Sequence, residues 1–283
     1  MRGVVNALAA ERLGPGVILR ICWKADRLAG MAAKGDRGKG QMGGLCTIIG
    51  AGEGLGRALA RKFALEGFDI AAVSRREAGS AAALAAVATA RDGADARFFQ
   101  ADATRPETVE AALASVAETM GEIDVLIYNV RGDLTPCAPL EIGYEALEQT
   151  FRLEVMGALA AAKSVIPAMR RRGRGSLFFS SATAAYRGSA TFPLYAIGKF
   201  GLRALSQSMA KAYGRDGVHV VHVRLDCDLD TPVMRALCGE RFEADRMACP
   251  DAVAEVYWLT HLQSPGGWSN EIEIRPSTET WTF

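Results

Sequence analysis

The chain has 283 residues, 49% of them apolar, and its 33 Lys and Arg against 32 Asp and Glu leave a formal charge of +1. That balance excludes nucleic acid or an anionic membrane as the principal partner, and no apolar run approaches the ~20 residues of a membrane-spanning helix. The length suits one α/β domain with a short appendage. Six cysteines (Cys22, Cys46, Cys137, Cys227, Cys238, Cys249) show no CxxC pair and read as reduced thiols of a cytoplasmic protein. His219, His222 and His261 make no metal motif, so no metal is expected, and the first two read as core or wall residues of a strand.

Residues 1–41 differ from the rest. Basic residues outnumber acidic ones there, and 30–44 is a Gly/Lys/Arg-rich linker with little to pack. A targeting leader is one reading of such a segment, but Glu11, Asp26, Asp36 and the lack of a clean apolar stretch favour an extension upstream of a domain that opens at Met42 and runs to 283.

From Cys46 an apolar strand runs into Gly50-x3-Gly54-x-Gly56 and then a helix-forming run. Glycines permit the tight turn and let backbone N–H groups approach a diphosphate, which sits on the positive end of the helix. Gly50, Gly52, Gly54, Leu55 and Gly56 are therefore candidate cofactor ligands. The helix 54–66 places Leu55, Ala58, Leu59, Phe63 and Ala64 on one face. Residues 68–73 form a buried strand ending at Ser74-Arg75-Arg76. An acid at this strand end suits the free ribose hydroxyl of NAD, whereas arginine suits the NADP phosphate. NADP(H) is thus preferred and NAD(H) is the alternative, with Glu53 in the loop counting mildly against a nearby phosphate. A helix over 78–90, a strand over 97–101 ending at Asp102-Ala103-Thr104, a helix over 105–120 and a strand into Tyr128-Asn129 follow. Strands this continuous in apolar content, alternating with helices, predict a parallel sheet covered on both faces.

The glycine loop, Asp102, Gly121-x-Ile-Asp124-x-Leu126 and Tyr128-Asn129 together resemble the short-chain dehydrogenase/reductase family. The resemblance covers about residues 42–276. It implies that Asp102 and Ala103 line the adenine edge and that Asn129 holds the strand beside the cofactor. The family usually reads Asn-Asn-Ala-Gly at 128–131, where this chain has Tyr-Asn-Val-Arg, so Arg131 replaces a glycine near the nicotinamide.

The second half opens with a long helical stretch, 144–172, then a strand ending at Ser180-Ser181. Tyr195 and Lys199, four apart, project from one face of the next helix. An ammonium beside a phenol lowers the phenol's pKa from about 10 towards the working pH and makes it a usable acid/base. Tyr195 follows Ser181 by 14 residues. The resemblance implies Tyr195 as acid/base, Lys199 as its tuner and a ligand of the nicotinamide ribose, and Ser181 as the carbonyl-orienting hydroxyl, with Ser180 the fallback. Where the family has an asparagine in the long helix, the alignment puts Glu154, which on ionising would pair with Lys199 and weaken its effect on Tyr195. After the strand 218–225 the family's Pro-Gly gives way to Asp226-Cys227, while Thr231 matches the residue that reaches the cofactor. Residues 232–250 then match the substrate lid, whose Met234, Leu237, Cys238, Phe242 and Met247 suggest an apolar substrate face. A last helix over 251–258 and a strand within 268–276 close the chain, and such tails imply a homodimer or homotetramer.

The expected fold is one Rossmann-type, doubly wound α/β domain with a mainly parallel sheet. The expected function is an NADP(H)-preferring oxidoreductase moving hydride between nicotinamide and a carbonyl or alcohol. Two rivals stay open: a nucleotide-binding regulatory protein, for which Arg131, Glu154 and Asp226-Cys227 speak, and a lyase or epimerase on the same fold.

Overall fold

The computed structural model describes residues 43–132 and 134–278. The expected extension 1–41, the opening Met42 and Cys22 lie outside the described residues. Seven strands form one parallel sheet in the order β3-β2-β1-β4-β5-β6-β7. They are β1 (Leu45–Ile49), β2 (Asp69–Ser74), β3 (Ala96–Gln100), β4 (Val125–Tyr128), β5 (Gly175–Ala182), β6 (Val218–Leu225) and β7 (Glu271–Ile274). β1 and β4 are buried along their whole length, because a central parallel strand has helices over both of its faces.

One face carries α1 (Leu55–Leu65), α2 (Glu77–Ala90) and α8 (Pro250–His261). Its core is built around Phe63, whose ring meets Phe68 at 5.6 Å and Trp258 at 5.5 Å, both edge-on. The other face carries α3 (Pro106–Met120), α5 (Gly157–Arg172) and α6 (Pro193–Tyr213), packed through Leu113, Val116, Ile166, Met169, Leu202 and Met209. Side chains alternate along each strand. Hence Phe178 and Val221 face the first core, and Leu177, Phe179 and Val220 the second. His219 stacks on Trp268 at 4.6 Å and its Nε2 lies 3.0 Å from the Ser269 carbonyl, which makes it a wall residue.

The stretch 144–172 is not one helix. α4 (Tyr144–Phe151) passes through a π-helical turn, Arg152–Met156, into α5. The buried Tyr128 hydroxyl at the end of β4 donates to the Leu153 carbonyl inside that turn. A side-chain donor entering the helical ladder is a recognised cause of such a bulge. The turn carries Glu154 inward, where it is buried.

Every strand points its carboxyl end to the same edge. The order reverses between β1 and β4, and the crevice at that switch point is where open α/β sheets take ligands.

Candidate active site

Gly50, at the end of β1, has φ +87, and a Cβ there would stand 2.4 Å from the Asn129 carbonyl. The Asn129 side chain donates to the Gly50 carbonyl at 3.1 Å, so β4 pins the loop to itself. Gly56 is tight for another reason: its Cβ would meet Ala51 Cα and the Gly50 carbonyl oxygen, both at 2.7 Å. Gly52 differs again, since a Cβ there would meet nothing within 4 Å. No side chain caps α1, which leaves its first-turn N–H groups facing that open space beside Gly54 and Leu55. This cradle fits a diphosphate.

At the next strand end, Ser74 Oγ donates to the Arg76 carbonyl at 2.9 Å and shares a hydrogen bond with Ser80 at 2.8 Å. Arg75 and Arg76 are exposed, and among the described residues neither forms an ion pair. Asp102 Oδ1 accepts from the backbone N–H and hydroxyl of Thr104 at 3.0 and 2.8 Å, which shapes the turn after β3. The Ala103 carbonyl lies where a Cβ on Gly157 would be 2.3 Å away, so α5 closes directly on this turn.

The catalytic candidates meet at the ends of β4 to β6. Strand parity separates the two serines. Ser180 faces the α8 side, where its hydroxyl bonds Tyr257 at 2.8 Å. Ser181 faces the α6 side, is 4% exposed, and its hydroxyl has no partner among the described residues. Of the two, the fallback Ser180 is engaged with Tyr257 and Ser181 is not. Tyr195 lines a cleft of ≈ 200 Å³ together with Thr183, Ala184, Arg187, Gly188, Ser189 and Phe192.

Lys199 Nζ sits 5.5 Å from the centre of the Tyr195 ring. It donates to Glu154 Oε2 at 2.8 Å, to the Val130 carbonyl at 3.3 Å and to the Ser180 carbonyl at 3.4 Å. The two charged side chains are 2% and 1% exposed, so the expected Glu154–Lys199 pair is present and fully buried. Burial works against the ammonium. Glu154, Tyr195 and the hydrogen bond to Glu154 together outweigh it and hold Lys199 above its ordinary 10.5. Tyr195 is pushed above its ordinary 10, chiefly by burial. Lys199 pulls it down, Glu154 pushes it back up, and Arg131 and Asp228 add smaller opposing effects.

Asp226, which replaces the family's proline, is a structural tie. It accepts from Thr183 after β5 and from Arg275 after β7, and so fastens three strand ends together. Thr231 caps α7 (Pro232–Cys238) by accepting from Met234 N at 3.2 Å, and its methyl lies against Gly54, where a Cβ would be 2.9 Å away. The expected lid, 232–250, is α7 and two short turns, clasped at its base by Asp230 N to the Ala248 carbonyl at 3.0 Å and Ala248 N to the Asp228 carbonyl at 2.8 Å. Val233 and Leu237 of α7 are exposed, 54% and 73%, and the cleft wall itself mixes Phe192 with hydroxyls and Arg187.

Two groups of atoms around Lys199 were missed from sequence. The backbone partners of Lys199 carry no side-chain signal. Gly198 did: a glycine inside a helix costs stability and marks a close approach, here of Glu154 Cγ, 2.8 Å from where its Cβ would lie.

The family model for short chain dehydrogenases matches residues 45–237. A short-chain reductase of Streptomyces niveus, NovJ, is 32% identical over 221 residues, 78% of this chain and 82% of that protein. A short-chain dehydrogenase structure from Rhodopseudomonas palustris superposes with a TM-score of 0.70 at 29% identity, covering 83% of this chain and 99% of the other. The L-sorbose reductase of Gluconobacter frateurii, solved with NADPH and L-sorbose, gives a TM-score of 0.73 at 23% identity over 84% and 97% of the two chains, a likeness of fold. Among the described residues no helix is long and apolar enough to cross a membrane. With the glycine cradle at the switch point and the match over most of its length, the chain belongs to the short-chain dehydrogenase/reductase family, NAD(P)-dependent oxidoreductases acting on alcohol and carbonyl groups.

Proposed function

We propose that this chain is an NADP(H)-preferring reductase of a small carbonyl compound, with Tyr195 passing the proton. The observation that carries the reading is the Ser181 hydroxyl, buried without a partner on the sheet face covered by the helix that bears Tyr195 and Lys199. An orphaned buried hydroxyl costs free energy unless a partner completes it, and a substrate carbonyl oxygen reaching it beside Tyr195 would do so.

The residues have separate tasks. Ser181 donates to the substrate oxygen and fixes its position. Tyr195, at the cleft wall, gives its phenolic proton to that oxygen as negative charge develops there. Lys199 stands beside the ring, its ammonium paired with Glu154. Gly52, Gly54 and the uncapped start of α1 would hold the diphosphate, and Asp102 and Ala103 would flank the adenine. Arg75 and Arg76, with no ion pair among the described residues, would take the 2′-phosphate, which is the basis for preferring NADP(H). When bound, the nicotinamide supplies hydride exchange at the carbonyl carbon. The cleft's hydroxyls and Phe192 fit a small substrate with both polar and apolar faces.

The test is titration of the purified protein with NADPH and NADH, then oxidation of NADPH against a panel of aldehydes and ketones. The expected result is tighter binding of NADPH and turnover on at least one carbonyl. NADH binding as tightly would overturn the cofactor preference, and binding with no turnover on any carbonyl would favour a nucleotide-binding regulatory protein.

A further inference from the structure

Lys199 has three N–H donors and three acceptors within the protein: the Glu154 carboxylate and the carbonyls of Val130 and Ser180. The other Glu154 oxygen, Oε1, accepts from Gly132 N at 3.0 Å. A closed ring results, from the loop after β4 through Glu154 to Lys199 and back to Val130 in the same loop. The packing is built for it. Gly198 leaves the notch that the Glu154 stem fills, and Gly201, three residues on, lets Val155 approach, 2.7 Å from where a Cβ would lie. Tyr128, bonded to the Leu153 carbonyl, stabilises the π-helical turn that aims Glu154 inward.

The charges facing the pair come from every neighbouring element. Glu154 lies in the π-helical turn, Tyr195 on α6, the buried phenol of Tyr128 on β4, Arg131 after β4, the buried neutral His222 on β6 and Asp228 after β6. Of these, Glu154 is the only one bonded directly to Lys199.

We propose that Glu154 is a positioning residue that acts through Lys199, fixing the ammonium in a closed cage and cancelling its charge at Tyr195, so that the phenol stays in its proton-donating form. This rests on the reading of Tyr195 as acid/base given above. A lone ammonium beside a buried phenol favours the phenolate, whereas a compensated one leaves burial to favour the neutral phenol. The ring therefore retains its proton well into alkaline solution, and carbonyl reduction, which needs the donor form, keeps its rate there. The loop 130–132 is held by the same carboxylate, so Glu154 couples the shape of the site's floor to the charge of its lysine.

The experiment is a pH titration of tyrosinate absorbance in the wild-type protein, Glu154→Gln and Glu154→Asp, with Tyr195→Phe as the reference that identifies the Tyr195 step among the six tyrosines. In Glu154→Gln the Tyr195 step moves down by about one pH unit or more. In Glu154→Asp, which keeps the charge, it stays nearer the wild-type position. Should the glutamine variant fail to fold, Glu154→Asn, the residue usual in the family, takes its place with the same expectation. A Tyr195 step at the same pH with and without the carboxylate overturns the proposal, as does a step that appears in every variant only on unfolding. Oxidation of NADPH by Tyr195→Phe against the carbonyl panel separates the two failures. If that variant still turns over, the acid/base reading falls. If it is inactive while Glu154→Gln leaves the step unmoved, only the role of Glu154 falls.

Discussion

The two ends of the crevice are built in opposite ways. At the ends of β1 to β3 the polar groups are left open: an uncapped helix start, free space above Gly52, and two exposed arginines without an ion pair among the described residues. At the ends of β4 to β6 the ammonium is already spent, Lys199 being closed in by Glu154, Val130 and Ser180, while the Ser181 hydroxyl has no partner among the described residues. An open half gains bonds when a ligand arrives. A closed half offers a preset charge and geometry and changes little, as catalysis by fixed dipoles requires.

The contrast is broken most severely at the joint between the halves. Gly50→Ala would force a Cβ onto the Asn129 carbonyl at a left-handed φ, and a loss of on the order of 4 kcal/mol in denaturant unfolding is expected. Next comes a buried group under the closed half. His222 is fully buried, both ring nitrogens lack partners among the described residues, and burial holds its value at about 4 against an ordinary 6.5, with Arg203, Lys199 and Arg224 helping and Glu271 opposing. Between pH 6.5 and about 4 only the unfolded chain takes up this proton, so stability falls as pH drops through that window, by roughly 3 kcal/mol, and then levels. Glu271, held at about 2 chiefly by Arg203, adds a further loss only below about 4.5. His222→Leu should shrink the upper step in unfolding measured across pH to the part contributed by His219, which burial also lowers, while leaving stability at pH 8 close to wild type; a step of undiminished size would place the titration elsewhere.

The open half responds in affinity. Gly52→Ala should leave stability within about 0.5 kcal/mol, because no protein atom is displaced, yet weaken cofactor binding about tenfold or more by filling the cradle. An unchanged dissociation constant would move the diphosphate off this loop. Arg75→Ala and Arg76→Ala should each weaken NADPH by roughly tenfold and leave NADH nearly unchanged, and an equal loss for both cofactors would mean that the arginines do not read the phosphate.

The open half was also the legible one. Glycine spacing, the strand before it and the helix after it are local signals and marked Gly50 and its loop, while Asn129 and Asp102 were expected from the family resemblance. The Tyr195–Lys199 spacing was legible for the same reason. The resemblance pointed to Ser181 with Ser180 as the fallback, and strand parity, which separates the two hydroxyls, assigns faces only once the neighbouring helices are known. That Glu154 turns inward depends on a π-helical turn to which Tyr128 donates at Leu153, a contact 25 residues apart in sequence that periodicity does not report. Asp226 read as a lesion in the family pattern because its partners, Thr183 and Arg275, come from other strands.

The measurement that bears most directly on the account is NADPH oxidation by wild type and Tyr195→Phe on the best carbonyl of the panel, with NADPH affinity measured alongside. The account predicts a fall in turnover of about 100-fold or more with NADPH affinity retained. Wild-type turnover in Tyr195→Phe would contradict it and return the closed half of the crevice to a structural role.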